Sequence, residues 1–225
     1  MELRFFEIYR NPDYLLLLLE GVGVSAFVTL AGAALGFVMG VGLSAARHEK
    51  IPVLRYLAAG YVDFIRNTPL IVQLFFVAFG LPLLLGYVWP FWAHAVLALT
   101  LNFSAYFAEI LRAGYSSADD GQLDAAKALG LPRYVRFLKI VLPQSIAQMF
   151  ASLNSQFIFL FLTTGVISEI GVRDLTFAGL FIDSRTFRSF EVFLTLTVLY
   201  ILISLAFKGL MQLIERRAFA WKYTR

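Results

Sequence analysis

Residues Val22–Ala46 read VGVSAFVTLAGAALGFVMGVGLSAA and contain no charged side chain. About 20 consecutive apolar residues in a helix cover the hydrocarbon core of a bilayer, so this run is long enough to cross a membrane. The whole chain has the same character, because 60% of its 225 residues are hydrophobic, whereas soluble domains average about 45–50% apolar residues even when glycine is counted. The sequence therefore predicts an integral membrane protein and excludes an ordinary soluble domain.

Four further apolar runs have a length that suits a membrane span. With the first run they predict an all-α membrane protein with about five transmembrane helices, at Val22–Ala46, Thr68–Leu85, Phe91–Leu111, Ile146–Val166 and Val192–Leu213. On this basis the chain divides into an N-terminal segment (1–21), a transmembrane domain (22–213) and a C-terminal tail (214–225).

The basic residues predict the orientation of these spans. Most of the 19 lysines and arginines fall in one set of connections, and the exceptions are Arg4, Arg10, Arg173, Arg185 and Arg188. Loops rich in lysine and arginine stay in the cytoplasm. We therefore expect the N-terminal segment to be extracytoplasmic and the C-terminal tail to be cytoplasmic, in a multi-pass protein of the bilayer.

The first span carries a glycine stripe, at Gly32, Gly36 and Gly40. Small residues four apart lie on one face of a helix and allow another helix backbone to approach closely. The stripe predicts a helix-packing face rather than a substrate site.

The connection between the third and fourth spans runs from about residue 112 to 141 and is too long to be a simple turn. Asp119 and Asp120 are candidate N-caps of a short helix, and Gly130 is a candidate helix stop. Pro132 suits the first turn of a second helix. The pattern predicts a helix-turn-helix elbow outside the bilayer, followed by the return into the membrane near Pro143.

Two charged positions near span ends are open to two interpretations. Asp63 and Arg66 are three residues apart and can pair on one helical face, just before Pro69 interrupts the backbone hydrogen bonds. This arrangement is either a gate or a solvated pair. Glu109 follows an uncharged run and lies one turn before Arg112, so it is either a functional group at membrane depth or a boundary ion pair.

The polar residues inside the spans are uncharged amides and hydroxyls. The third span contains Asn102 and Ser104, and the fourth contains Asn154, Ser155, Gln156, Thr163 and Thr164. Such groups either bridge helices by hydrogen bonds or line a polar path.

The elbow resembles the EAA loop of ABC import permeases, whose pattern is Glu-Ala-Ala, three residues, Gly, nine residues and Ile-x-Leu-Pro. The chain has Asp124-Ala125-Ala126, then Gly130, then Ile140-Val141-Leu142-Pro143 at the same spacing, with Asp in place of Glu. The resemblance implies that the elbow docks on a separate ATPase subunit and transmits its closure. The coupling residues that it implies are Asp124, Ala125, Ala126, Gly130, Leu142 and Pro143.

Other segments resemble the polar amino acid branch of that family. They are Tyr61–Phe76 with its Tyr-Val-Asp and Thr-Pro-Leu elements, Ala105–Arg112, and the dipeptides Gly121-Gln122 and Pro143-Gln144. The resemblance implies a permease subunit in a bacterial inner membrane that imports a polar amino acid delivered by an extracytoplasmic binding protein. Its candidate path or gate residues are Arg66, Thr68, Pro69, Gln73, Asn102, Glu109, Asn154, Gln156, Thr163 and Thr164.

One stretch departs from the family pattern. Many relatives carry a lysine-aspartate pair after the fourth span, and this chain has Leu162 and Thr163 instead. Family permeases work in pairs, and an asymmetric pair lets one half lose such groups. We therefore favour a heterodimer with a different permease over a homodimer, while exchange of a merely structural pair for apolar packing stays open.

The rival interpretations lack their sequence signals. A stand-alone secondary transporter or channel would need internal repeats and paired broken helices, and no repeat is visible. An enzyme would need a nucleophile with a base or a metal cluster. The sequence has no G-x-x-x-x-G-K-[ST] loop. We expect no cofactor on this chain, with ATP and Mg²⁺ bound by the partner subunit, and no nucleic-acid partner.

Overall fold

A computed structural model describes residues 3–222, and every regular element in that range is helical. In chain order the α-helices are α1 (Phe6–Tyr9), α2 (Pro12–His48), α3 (Leu54–Arg66), α4 (Leu70–Phe75), α5 (Leu81–Leu85), α6 (Phe91–Gly114), α7 (Asp120–Ala128), α8 (Arg133–Arg136), α9 (Leu142–Thr163), α10 (Leu175–Thr186) and α11 (Ser189–Ala218). Two π-helical segments, Phe76–Gly80 and Phe137–Val141, and 3₁₀ turns, such as Thr164–Ile170, join some of them.

Four helical runs in the described part of the chain have the length and apolar composition of membrane spans. They are Pro12–His48, Phe91–Gly114, Arg133–Ile170 and Ser189–Ala218, and the pair Leu54–Arg66 and Leu70–Leu85 adds a fifth if it is counted as one broken span. The prediction of an all-α membrane protein with about five spans is confirmed. The C-terminal tail ends outside the described residues.

The second span differs from its prediction, which placed one helix at Thr68–Leu85. The helical pair instead begins at Leu54 and breaks between Arg66 and Leu70. Pro69 has no N–H to continue the helix. The carbonyls at the end of α3 are satisfied locally, because Asn67 Nδ2 donates to Asp63 O at 2.7 Å and Thr68 Oγ1 donates to Phe64 O at 2.8 Å.

The fourth span also begins earlier than predicted. The second limb of the elbow is not a separate helix, since α8, the π-helical segment Phe137–Val141 and α9 form one uninterrupted helical run. Proline is tolerated at the first turn of a helix, and Pro143 is the second residue of α9, just after the π-helical segment. Pro143, where the sequence predicts that the chain re-enters the membrane, therefore lies inside a continuous helical run and not at its start.

The helices group into two compact units. The first contains the described part of Met1–Gly32 with Leu70–Leu99 and Ile158–Lys208. The second contains Ala33–Pro69, Thr100–Phe157 and the described part of Gly209–Arg225.

A capped helix organises the core of the first unit. Asp174 caps α10 by accepting a hydrogen bond from Phe177 N at 2.8 Å, and Ser25 Oγ of α2 accepts one from Leu175 N at 3.1 Å. Burial raises the pKa of Asp174 to about 7. A Cβ at Gly21 would lie 2.8 Å from Asp174 O, so α2 and the start of α10 touch through backbone. The segment between the last two spans is thus helical and packed.

Close helix packing organises the second unit. A Cβ at Gly40 would lie 2.9 Å from Phe107 Cβ and 3.0 Å from Ser104 O, and one at Gly36 would lie 3.3 Å from Thr100 O. These contacts place α2 directly against the backbone of α6 and confirm the predicted packing role of Gly36 and Gly40. Gly32 makes the same kind of contact in the first unit, 3.2 Å from Leu99 Cβ.

Candidate functional site

The elbow helix α7 begins with a side-chain cap. Asp119 has an extended backbone, and its Oδ1 accepts a hydrogen bond from Gln122 N at 3.0 Å. Of the two predicted candidates, Asp119 is the N-cap and Asp120 is the first helical residue. An aspartate at this position satisfies a free N–H and complements the positive end of the helix.

The elbow helix ends at a left-handed glycine, as predicted. Gly130 has φ +69°, its N–H donates to Lys127 O at 2.9 Å, and Leu131 N donates to Ala126 O at 3.0 Å. This pair of bonds is the Schellman motif, which satisfies the last carbonyls of a helix. A Cβ at Gly130 would meet nothing within 4 Å. The requirement for glycine there is therefore conformational and does not come from crowding.

The remaining motif residues differ in exposure. Asp124 is 73% exposed, and its Oδ1 forms an ion pair with Lys127 Nζ at 2.7 Å. Ala125 is exposed and Ala126 is buried. A solvated pair three residues apart stabilises a helix only by a few tenths of a kcal/mol. Leu142 and Pro143 are partly buried at the start of α9. One face of α7, with Asp124 and Ala125, is thus exposed, and the face that carries Ala126 is packed against the rest of the chain.

Gln144 joins the start of the elbow to the fourth span. Its Oε1 accepts a hydrogen bond from Asp119 N at 2.9 Å, and its Nε2 donates to Gln122 Oε1 at 3.1 Å. The dipeptides Gly121-Gln122 and Pro143-Gln144 stand out in the sequence only as pattern matches. In the structure the two glutamines bond to each other and so connect α7 to the start of α9.

Glu109 is a clamp between two helices. Its Oε2 accepts from Arg47 Nη1 of α2 at 2.9 Å, and its Oε1 accepts from Arg112 Nε at 3.0 Å. The carboxylate is 23% exposed, and each of its oxygens has a guanidinium partner. The pair with Arg112 was one of the two predicted interpretations. Arg47 is the partner that sequence reasoning missed, since it lies far away along the chain.

The expected pair between Asp63 and Arg66 is not formed. Arg66 instead places its guanidinium 5.7 Å from the centre of the Tyr106 ring. A cation over an aromatic face is a favourable contact that does not need the carboxylate. Tyr61, from the same motif, donates to Leu101 O at 2.7 Å. The contacts of Tyr61 and Arg66 hold α3 on α6 just before the helix ends. Thr68 and Pro69 lie in the break between α3 and α4 that is described above.

The other predicted path residues are placed separately. Gln73 and Asn102 are buried. Thr163 Oγ1 donates to Leu160 O at 2.8 Å and Thr164 Oγ1 donates to Phe161 O at 2.7 Å, so both hydroxyls bond to the carbonyls of their own helix.

Asn154 and Gln156 are different. Asn154 Oδ1 and Gln156 Nε2 are buried and have no hydrogen-bond partner among residues 3–222. Leaving such an atom unpaired costs about 1–3 kcal/mol. These two amides are therefore the polar groups of the fourth span that most need a partner from outside the chain.

The described residues contain no cluster of three or more His, Cys, Asp or Glu side chains that could hold a metal ion. The features that the structure does show are a capped helix, α7, that is not part of a candidate span, and two amides with buried polar atoms within the fourth span.

Comparison with known proteins places this arrangement among transport components. The family described as the binding-protein-dependent transport system inner membrane component matches residues 20–220. The L-cystine transport system permease protein TcyL of Bacillus subtilis (strain 168) is 33% identical over 219 residues, covering 94% of this chain and 91% of the relative. The arginine transport system permease protein ArtQ of the same organism is 32% identical over 202 residues, covering 89% and 91%.

Solved structures agree with the sequence relatives. A crystal structure of an amino acid ABC transporter with histidines has a TM-score of 0.82 and 32% identity, covering 96% of this chain and 100% of that chain. The MetNI methionine ABC transporter in an inward-facing conformation has a TM-score of 0.76 at 19% identity, covering 92% and 99%. The second comparison shows the fold alone.

The Gln144 bridge leads to a prediction about the elbow. Replacing Gln144 with Ala removes two hydrogen bonds, so we expect α7 to open more often, by an energy of about 1–2 kcal/mol. Limited trypsin digestion of the purified protein in detergent measures this, through cleavage after Lys127 and Arg133, which should become several-fold faster.

Gln148→Ala is the matched control, because Gln148 is an exposed glutamine one turn further along the same helix. Cleavage of Gln148→Ala should match that of the unmodified protein. Equal cleavage rates for the two variants would contradict the bridging role of Gln144.

Proposed function

The chain belongs to the family of binding-protein-dependent transport system inner membrane components, and we propose that it is the permease subunit of an ATP-driven importer for a polar amino acid. Several relatives carry amino-acid permease names, including L-cystine, arginine and glutamine transport systems. The observation that carries the proposal is the capped elbow helix, whose ends are fixed by Asp119 and Gly130 and whose base is tied to the fourth span.

The elbow suits the transmission of force. Its Schellman end and its N-cap hold α7 as a rigid unit, and the Gln144 bonds carry a displacement of α7 into α9. Asp124 and Ala125 face outward and would contact an ATPase subunit, while Gly130, Leu142 and Pro143 set the geometry behind them. A short helix with fixed ends moves as a body, so closure of the ATPase would displace the span and not merely deform a loop.

ATP chemistry belongs to the partner in this proposal. The sequence has no phosphate-binding loop of the G-x-x-x-x-G-K-[ST] type. A dimer of ATPase subunits would bind ATP and Mg²⁺, and this chain would hold no cofactor. An extracytoplasmic binding protein would deliver the amino acid, in agreement with the family's description.

The fourth span is the best candidate for the substrate path. Asn154 and Gln156 each have a buried polar atom without a partner in the described part of the chain, and a zwitterionic substrate offers both donors and acceptors. Gln73 and Asn102 remain further candidates, together with Arg66, Thr68 and Pro69 at the break. Thr163 and Thr164 are weaker candidates, because their hydroxyls already bond to their own helix, and Glu109 is accounted for as a clamp.

Coupled uptake tests the function directly. The complete transporter, reconstituted in proteoliposomes with its ATPase and binding protein, should take up one class of labelled polar amino acid only when ATP is present. Gly130→Val should reduce substrate-stimulated ATP hydrolysis, because a branched residue in the left-handed region costs about 1–2 kcal/mol.

Gly130→Asn is the control, since asparagine tolerates the left-handed conformation and should keep coupling near the unmodified level. A complex with no ATP-dependent uptake of any polar amino acid would refute the importer. Full stimulation in Gly130→Val would refute the docking role of the elbow alone.

We propose that the N-terminus lies outside and the C-terminus lies in the cytoplasm, as the lysine and arginine distribution predicts. The chain has no cysteine, so single introduced thiols report cleanly. Cysteines at Ser184 in α10 and at Asp120 in α7 should react with an impermeant thiol reagent from opposite sides of intact cells. Labelling of both from the same side would contradict this topology.

We also propose that the chain pairs with a second, different permease. Leu162 is half exposed and Thr163 is bonded to its own helix, so the region that carries a lysine-aspartate pair in many relatives has no charge here. Native mass spectrometry of the purified complex should show one copy of this chain, one other permease and an ATPase dimer. Two copies of this chain without another permease would exclude the heterodimer.

A further inference from the structure

A basic cavity beside the elbow has no part in the importer mechanism above. It measures about 200 Å³, and its polar wall carries Lys127, Arg133, Arg136 and Glu49 while Phe137 and Val141 form its apolar wall. We propose that this cavity binds the phosphate of an anionic phospholipid headgroup.

The charges of the cavity are not balanced. Lys127 is paired with Asp124, and Glu49 lies 3.8 Å from His48. Arg133 and Arg136 form no ion pair with any acidic side chain of residues 3–222. Guanidinium groups match the geometry of phosphate oxygens through two parallel hydrogen bonds. Two such groups at one cavity create a site that favours a phosphate.

The position of the cavity points to a lipid as the source of that phosphate. The spanning helix α2 ends at His48, and Phe137 and Val141 belong to the first turns of the Arg133–Ile170 span. His48 packs against the rings of Tyr115 and Phe137, with centroids 4.6 and 5.7 Å away. The cavity therefore lies at the ends of two spans, on the side that the lysine and arginine distribution predicts to be cytoplasmic. Basic pockets between spanning helices on the cytoplasmic side bind anionic headgroups.

The local backbone is unusual in a way that serves this site. Phe137–Val141 is π-helical, and both of its end residues line the cavity. Such widened turns occur frequently at functional positions in helices. Leu138, in the same segment, is half exposed and offers apolar surface to an acyl chain. A free phosphate ion would have no use for that surface.

The test uses the assembled transporter, purified in detergent and titrated with phosphatidylglycerol or phosphatidylcholine before native mass spectrometry. The unmodified complex should retain phosphatidylglycerol in preference to phosphatidylcholine. The double variant Arg133→Gln with Arg136→Gln should bind phosphatidylglycerol roughly 25-fold more weakly, because each basic residue near an anionic lipid surface contributes about a fivefold factor.

Two further variants separate this role from a general loss of charge or of fold. Arg216→Gln with Arg217→Gln removes two exposed arginines of α11 outside the cavity and should leave lipid binding unchanged. Arg133→Lys with Arg136→Lys keeps the charge but loses the paired donors of the guanidinium, so its lipid binding should lie between that of the glutamine variant and that of the unmodified complex. Intact subunit stoichiometry in every variant would show that the complex still folds.

Three results would overturn the proposal. Equal phosphatidylglycerol binding in the Arg133/Arg136 and Arg216/Arg217 glutamine variants would place the lipid elsewhere. Displacement of the lipid by millimolar inorganic phosphate would identify a free anion site. Loss of the ATPase from the Arg133/Arg136 variant with unchanged lipid binding would assign the arginines to subunit contact. Because the readout is lipid retention, failure here leaves the importer function untouched, and failure of uptake leaves this result intact.

Discussion

Lipid offers no hydrogen-bond partner to a peptide group, and this constraint underlies the rest of the structure. Each backbone N–H and C=O inside the bilayer has to be satisfied within its own segment, which leaves helices as the natural solution for separate spans. The described chain obeys this throughout its apolar runs. Where the ladder is interrupted, at Asn67, Thr68 and Pro69, side chains take over the free carbonyls.

Association of such helices cannot rely on the hydrophobic effect, because the surrounding tails are as apolar as the side chains. The second unit uses backbone proximity instead, with Gly36 and Gly40 of α2 lying against α6. Glu109 then adds charge-assisted bonds to Arg47 and Arg112, at the end of the same two helices. Small residues and one ion cluster together hold α2 on α6.

The elbow follows a different logic, because it is solvated and short. A nine-residue helix is marginal in water without capping or packing. Here the Asp119 cap, the Gly130 stop and the Gln144 bonds stabilise a helix that is too short to be stable by itself. The same features fix both ends of α7, which is the property that the proposed coupling to an ATPase would require.

Several properties were determined by the sequence itself. Apolar run length gave the membrane class and most spans, the four-residue glycine spacing gave the packing face, and Asp119 and Gly130 gave the ends of the elbow helix. Each of these depends on neighbours within a turn or two, so local chemistry is enough. The boundaries of the second and fourth spans were less well predicted, because apolar content does not reveal that amphipathic α3 and basic α8 continue the helical runs.

Only the tertiary structure decided which side chains meet. Glu109 and Arg47 are 62 residues apart, Gln144 and Gln122 are 22 apart, and the contact of Arg66 with Tyr106 displaced the Asp63 pair that spacing suggested. Arg133 and Arg136, which form no ion pair within residues 3–222, line one cavity together with His48, the last residue of α2. Contacts of this kind depend on how helices pack over long chain separations, and one sequence read by itself carries no periodic signal for them.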